Sequence, residues 1–535
     1  MTVLAFVVLG IYTISLLYIT TYCLLQFNLL YHYKRDEDPT LEHPVSFARL
    51  AATQQAVVRK EAALAFAGEE GPSHCTGQLA LAPAPAPPYY PFVTVQLPIY
   101  NEYYVIGRLI DAVAAFDYPK DRYEIHILDD STDETVELVA EKVREYRARG
   151  YQIEQIIRPR RQGFKAGALR DAMSEARGEF LAIFDADFVP APDFLCRTIP
   201  HFADERVGVV QTRWEHLNED YSLITRLQAL QLNVHFTVEQ VGRMKGGHLL
   251  QFNGTAGVWR REAIEAGGGW QPDTLTEDLD LSIRSQLAGY RIRYLERVGS
   301  PAELPVEMNS FKSQQHRWMK GGAETARKML PAVWSSGLPF RHKVHASAHL
   351  LASSIFLFVF LCGVFSVPLL FLLGELAELG FNKNFFAFFL GGLLSVIGVY
   401  YAANVQSLAN KEPSFVKSLL KFLFLFPLFL ALSMGLSLHN SVAVLQGYRG
   451  KKSPFVRTPK FNINSVTDKL RARKYLSGSF NWITLGEGVL ALYFLLAVVG
   501  GIYVENTTFI VFHSLLALGY GAIFYYSVKH LGLAK

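Results

Sequence analysis

The chain has 535 residues, of which 50% are hydrophobic and 19% charged, and the apolar residues gather at the two ends and thin out in the middle. That distribution excludes an ordinary soluble globule and points to a soluble domain held between membrane segments. The net charge of +4 is accounted for by basic loops beside those segments, so no nucleic-acid surface is called for.

Residues 3–25 are long enough to span a bilayer, have no basic leader and are followed by His32, Lys34 and Arg35. Residues 1–33 therefore read as a retained anchor with its N-terminus outside, since a cleaved signal has a shorter apolar core behind basic residues. Residues 34–90 read as a linker, with room for a helix across 51–66 and an extended Ala/Pro run at 82–88.

From Phe92 onward, strand-like stretches (93–97, 123–128, 151–157, 180–184) alternate with helical ones (105–116, 137–146, 166–176). The alternation predicts an α/β domain over residues 91–330, a mostly parallel sheet with helices on both faces. Ligands of such sheets lie at the carboxyl ends of the strands, and the acidic motifs fall there. Asp129 and Asp130 follow the second strand, with Ser131 and Glu134 spaced as a capping box for the next helix. Those acids serve either the helix start or a ligand. Lys165, in Gly163-Phe164-Lys165-Ala166-Gly167, reads as a surface lysine or a phosphate cation. Asp185 and Asp187 end an apolar strand; if the strand continues, both leave one face. Two carboxylates so placed repel unless a cation joins them, and a hard ion, Mg2+ or Mn2+, takes oxygen ligands.

Asp278 follows Thr276 and Glu277 at the start of a helix. Thr276 could cap that helix, with two acids in its first turn, or Asp278 could be a general base. Gln314, Arg317 and Trp318 stand at i, i+3 and i+4 and share one helix face. An interfacial membrane helix uses Arg and Trp too. A guanidinium that grips phosphate beside an indole that carries a sugar ring favours a site.

The membrane region, 331–535, offers spans at 350–373, 385–403, 485–504 and 508–526. A further apolar stretch, 419–436, is interrupted by Pro427, and the loop near 449–475 is strongly basic. The positive-inside rule puts that loop in the cytoplasm, so residues 419–436, with the segment to about 445, are expected to lie in the interface or re-enter. Cys23, Cys75, Cys196 and Cys362 are scattered and read as reduced thiols.

Together, Phe252-Asn253-Gly254-Thr255-Ala256-Gly257-Val258-Trp259-Arg260, Gln314-Gln315-His316-Arg317-Trp318 and Val209-Val210-Gln211-Thr212-Arg213-Trp214 resemble family 2 glycosyltransferases of the cellulose synthase superfamily. The likeness is closest to the mannan/glucomannan and xyloglucan-backbone synthases (the cellulose synthase-like A and C types). It implies a GT-A type domain inserted between transmembrane helices, with the D, D, D, QxxRW signature. It implies further that Asp129 or Asp130 contacts the nucleoside, that Asp185 and Asp187 hold the diphosphate through Mg2+ or Mn2+, and that Asp278 is the catalytic base. Lys165, Gln314, Arg317 and Trp318 then bind the nucleotide sugar, while Gly254, Thr255, Glu277 and Trp318 meet the acceptor. Phe455, Arg457, Thr458 and Lys460 resemble a gating loop, usually FxVTxK, with Arg457 in place of Val. The implied enzyme is an inverting, processive hexosyltransferase of the plasma (inner) membrane with a cytoplasmic catalytic domain. It uses UDP-glucose or GDP-mannose and extends a β-glycan at its non-reducing end; the sequence names no accessory subunit. A transferase acting on a lipid-linked acceptor and an inactive membrane scaffold are the alternatives.

Overall fold

The computed structural model describes residues 2–35, 89–453, 456–463, 467–468 and 480–531. The helix expected across 51–66, the Ala/Pro run, Cys75 and Phe455 lie outside them.

The N-terminal segment is one 33-residue helix, α1 (Thr2–Lys34), longer than the span read from the sequence. The sheet domain opens with β1 (Val93–Ile99), α2 (Ile106–Ala114), β2 (Tyr123–Asp129), α3 (Thr135–Ala148), β3 (Ile153–Ile157), α4 (Phe164–Asp171) and β4 (Phe180–Ile183). The central strands β1, β2 and β4 are buried on both faces: Val93, Val95 and Leu97 are fully buried, and so are Thr94 and Gln96 between them. Helices must therefore cover the sheet on both sides, and the β–α alternation makes the strands parallel. The capping box does not form. Ser131 Oγ accepts from the Asn101 N–H at 2.9 Å, and Asp133 Oδ1 accepts from the Thr135 N–H at 3.0 Å, so the helix starts at Thr135.

The second half runs α5 (Phe194–Thr198), β5 (Val207–His216), α6 (Leu223–Val234), α7 (Gln240–Gly246), β6 (Gly257–Arg260), α8 (Arg261–Ala266), α9 (Glu277–Leu287) and β7 (Arg291–Ala302). The seven strands lie in the order β3-β2-β1-β4-β6-β5-β7, all pairs parallel except those of β6 with β4 and β5. The segment after α7 crosses the carboxyl edge before β6 descends, which reverses that strand. It also lays Asn253 and Gly254 over the same edge from which residues 130, 185 and 187 emerge.

Beyond the sheet come α10 (Met308–Ser335), α11 (Phe340–Leu350), α12 (Ile355–Glu378), α13 (Leu390–Val405), α14 (Phe415–Gly435), α15 (Ser437–Tyr448), α16 (Trp482–Tyr503) and α17 (Ile510–Leu531). Among the described residues, six helices are long and apolar enough to cross a membrane, α14 included, and Pro427 does not break α14. A buried ion pair, Lys312 Nζ to Glu487 Oε2 at 2.7 Å, ties α10 to α16. Gly519 lets α17 touch α14, since a Cβ there would collide with the Ala431 carbonyl oxygen. α14 meets the sheet domain along its length. Lys421 pairs with Glu219 at 3.0 Å, and Phe422, Leu425, Phe426, Phe429 and Leu436 cluster with Ile224, Leu227 and Leu230 of α6.

Candidate active site

One cavity of about 400 Å³ opens where the carboxyl edge of the sheet meets α9, α10 and the loop around residue 457. Asp130, Lys165, Asp185, Asp187, Gly254, Glu277, Asp278, Gln314, Arg317, Trp318, Arg457, Thr458 and Lys460 all line it. Two expected residues do not. Asp129 is buried, its Oδ1 accepting from the Ser131 N–H and its Oδ2 from Gln155 Nε2, both at 2.8 Å. As the last residue of β2 it points into the sheet, and Asp130, one residue on, faces the cavity. Thr255 is also buried; its hydroxyl accepts the Asp185 N–H at 2.8 Å, so it supports a cavity acid from behind the wall.

Asp130 is gripped from both sides by Arg158, at 3.0 and 2.6 Å. Arg161 lies 3.8 Å from the same carboxylate, with its guanidinium 3.4 Å above the Tyr100 ring. A charged pair beside an aromatic face forms a suitable end wall for a planar base.

β4 ends at Ile183, so Asp185 and Asp187 sit on the turn after it and not on a continued strand. Asp185 Oδ1 accepts from Lys165 Nζ at 2.5 Å, and Asp187 Oδ2 accepts from Lys460 Nζ at 2.6 Å. Lys165 also donates to the Gly254 carbonyl at 2.8 Å, so it is part of the cavity wall and not a surface lysine. Burial works against its charge, yet Asp185 and Glu277 raise its pKa above the ordinary value. The two carboxylates suit a divalent ion in donor type, and such an ion would take the place of the lysine nitrogens that now face them. Among the described residues no group of three or more His, Cys, Asp or Glu could hold a metal alone, so such an ion would need substrate phosphate oxygens to complete its shell.

Asp278 lies in the first turn of α9, and its Oδ1 accepts the Leu279 N–H at 2.8 Å. Thr276 does not cap the helix with its side chain; its hydroxyl pairs with Thr325 of α10 at 3.0 Å, tying the two helices together. Gly254 has φ +79°, and a Cβ there would lie 3.0 Å from Asp278 Oδ2 and 3.5 Å from Lys165 Nζ. A side chain at this position would be strained and would intrude between Asp278 and Lys165. Burial first, then Glu277, pushes Asp278 up to about 7, against the pull of the Leu279 N–H and Lys165. Burial raises Glu277 as well, opposed by Lys165 and Arg317. A carboxyl near neutrality can take a proton from a hydroxyl and still be ionised beforehand.

On α10, Gln314, Arg317 and Trp318 share the cavity face, whereas Gln315 is buried and His316 turns to Gln446 at 3.2 Å. The loop that resembles a gate is clamped over the opening. Arg457 pairs with Glu102 at 3.0 Å, Phe461 is buried against Val306, and its N–H donates to Glu303 at 2.8 Å. Sequence reasoning missed Glu102. Burial pushes it up to about 8, opposed by Arg457. Its signal was an acid directly after β1, at the edge where the other acids emerge.

Residues 94–268 match the family model described as Glycosyl transferase family 2. The chain is 41% identical over 262 residues to a probable glucomannan 4-beta-mannosyltransferase 3 of Oryza sativa subsp. japonica, covering 48% of each chain. It is 38% identical over 292 residues to glucomannan 4-beta-mannosyltransferase 9 of Arabidopsis thaliana, covering 52% of this chain and 55% of that one. The chain thus spans about half the length of the curated relatives it matches. Among solved structures, a mannosyltransferase from Pyrobaculum calidifontis in complex with GDP-Man and Mn2+ is 23% identical with a TM-score of 0.45, covering 68% of this chain and 99% of that one.

Proposed function

We propose, from the match of residues 94–268 to family 2 glycosyltransferases and the likeness of about half the chain to glucomannan mannosyltransferases, that the chain is an inverting, processive membrane hexosyltransferase of the cellulose synthase superfamily. It moves a hexose, mannose or glucose, from GDP-mannose or UDP-glucose onto the non-reducing end of a β-glycan, and the membrane helices carry the product outward. The observation that carries this reading is that one cavity brings Asp278 beside Lys165 and Asp185, with Arg317 on the same wall facing Glu277.

The acceptor hydroxyl gives its proton to Asp278 while its oxygen bonds to the anomeric carbon from the side opposite the departing phosphate, which inverts the configuration. Arg317 and Lys165 face the oxygens on which negative charge grows, where fixed cations act more strongly than in water. Asp185 and Asp187 would hold Mg2+ or Mn2+, which when bound neutralises diphosphate charge. Trp318 offers a flat face for the acceptor ring. Arg457, Thr458 and Lys460 act as a gate, in which Lys460 leaves Asp187 as the donor enters. Incorporation of labelled hexose from each donor by the protein in lipid nanodiscs tests this reading. Long polymer supports a synthase, a glycolipid would mean a lipid-linked acceptor, and no turnover of either donor would mean a scaffold.

The rate should follow the ionised fraction of Asp278. With its carboxyl near 7, single-turnover transfer should fall about tenfold per pH unit below neutrality. A profile flat down to pH 5 would remove Asp278 from the proton transfer.

The domain is placed in the cytoplasm, with five crossings and α14 lying along the interface. This is supported by the packing of α14 with α6 in one apolar cluster from Phe422 to Leu432 and by the loop after α15 reaching the cavity. A cysteine at exposed Lys451 in a cysteine-free background should react with a membrane-impermeant thiol reagent only in inverted vesicles. Reaction in right-side-out vesicles refutes this topology.

A further inference from the structure

α6 does not run straight into α7: residues His235–Glu239 between them wind as one π-helical turn. Such turns disturb the regular helix ladder, and helices keep them mostly where a side chain must be re-aimed. Here the re-aimed side chain is His235. Its Nδ1 lies 2.9 Å from Glu239 Oε2 and its Nε2 2.7 Å from Asn253 Oδ1. Glu239 accepts a further bond from Arg243 at 3.2 Å. Burial opposes the Glu239 charge, yet Arg243 and His235 hold its carboxyl well below the ordinary range.

Asn253 lines the cavity immediately before Gly254. Its backbone is fixed, since its N–H donates to Gln211 Oε1 at 2.9 Å. The preceding Phe252 N–H donates to Ser282 Oγ at 2.9 Å, and that hydroxyl donates to the Asp278 carbonyl at 2.6 Å. Residues 252–254 are thus fastened to the turn of α9 that carries the base. The Asn253 amide is held firmly at one end, where His235 meets its oxygen, and only by a long 3.5 Å contact at the other, from its Nδ2 to the Gln251 carbonyl.

We infer that His235, held by Glu239, is a positioning residue that aims the Asn253 amide at the acceptor sugar beside Asp278, an inference that rests on the glycosyl-transfer reading. With Glu239 ionised, Nδ1 carries a proton, and the short contact at Nε2 requires one proton between its two ends. A cationic ring donates to the amide oxygen and leaves the NH2 group, whose one other contact is the long one to the Gln251 carbonyl, for the cavity. A neutral ring accepts from the NH2 group and leaves the carbonyl facing the cavity. In both cases the ring holds one end of the amide and presents the other to a sugar hydroxyl, which fixes the attacking oxygen relative to Asp278. When that hold is lost, water competes as nucleophile: its oxygen bonds to the anomeric carbon, the bond to phosphate breaks, and Asp278 takes the proton. Free hexose and nucleoside diphosphate result.

The test uses the full chain in nanodiscs with labelled UDP-glucose and GDP-mannose, adding β-1,4-linked gluco- or mannohexaose, and counts free hexose per transferred hexose. His235→Phe keeps the ring bulk and removes both nitrogens. That ratio should rise about tenfold while donor KM stays within about twofold, the signature of lost orientation with donor binding intact. Asn253→Ala should raise the ratio similarly, and the double variant should add nothing further. Glu239→Gln, which keeps an oxygen for Nδ1, should stay closer to the parent than His235→Phe. An unchanged ratio in folded His235→Phe overturns the inference, as does a parallel loss of donor binding and transfer. If His235→Phe does not fold, His235→Gln takes its place, and an unchanged ratio there has the same force. A parent protein that transfers hexose while the variants partition normally defeats only this inference. A parent that turns over neither donor defeats the glycosyl-transfer reading and this with it.

Discussion

Asp278→Asn should fold, bind donor with an affinity within about threefold of the parent, and transfer hexose about 10³-fold more slowly, the scale of a lost general base. The amide keeps the size of the side chain and can still accept the Leu279 N–H through its oxygen, so the first turn of α9 should stand. What disappears is the carboxylate beside Gly254 that takes the acceptor proton in the proposed reaction. Removing the charge also relieves Glu277, which faces it and shares its enclosure. Melting temperature should therefore hold or rise slightly. Nucleotide binding by calorimetry and single-turnover transfer, measured on one preparation, check the result. Transfer within about tenfold of the parent would assign the proton elsewhere, with Glu277 the next candidate.

Asp185→Asn should act earlier in the cycle, at donor binding. It removes the negative charge that faces Lys165 at 2.5 Å and leaves that lysine neutral acceptors, the amide oxygen and the Gly254 carbonyl. It also removes one of two carboxylates able to ligate a divalent ion. Donor affinity measured with Mn2+ present should fall by about 100-fold, while affinity without metal changes far less. Asp187→Asn should weaken metal-dependent binding too, but it additionally loosens Lys460, which keeps the Glu303 carbonyl, and so weakens the clamp that residues 457–461 make over the cavity. The pair therefore separates the metal from the gate: protease cleavage near residue 457 should accelerate in Asp187→Asn and not in Asp185→Asn. Equal donor affinity with and without metal in the parent would exclude a metal role for both acids.

Much of this site is legible in the chain because local rules place it. Parallel strands feeding helices deliver Asp130, Asp185 and Asp187 to one edge, and helical periodicity puts Gln314, Arg317 and Trp318 on one face. Where local rules failed, long-range contacts prevailed. The capping box lost because Ser131 is needed by Asn101 across the edge, and Thr276 gave up its cap to pair with Thr325 of α10. Lys165 looks like a surface lysine until the segment before β6 folds over it. Glu102 has no evident partner until Arg457 arrives from beyond α15.

By itself, then, the amino-acid order determined the division into apolar ends and an α/β middle, the sheet edge that carries chemistry, and the residue types that suit a diphosphate and a proton. These follow from periodicity and composition, which act over a few residues. Only the tertiary structure decided that Asp130 and not Asp129 faces the cavity, that Thr255 supports Asp185, and that Asp278 is enclosed enough to titrate near neutrality. Each of these depends on which groups from distant segments exclude water around a charge, and burial of that kind is a property of the assembled fold.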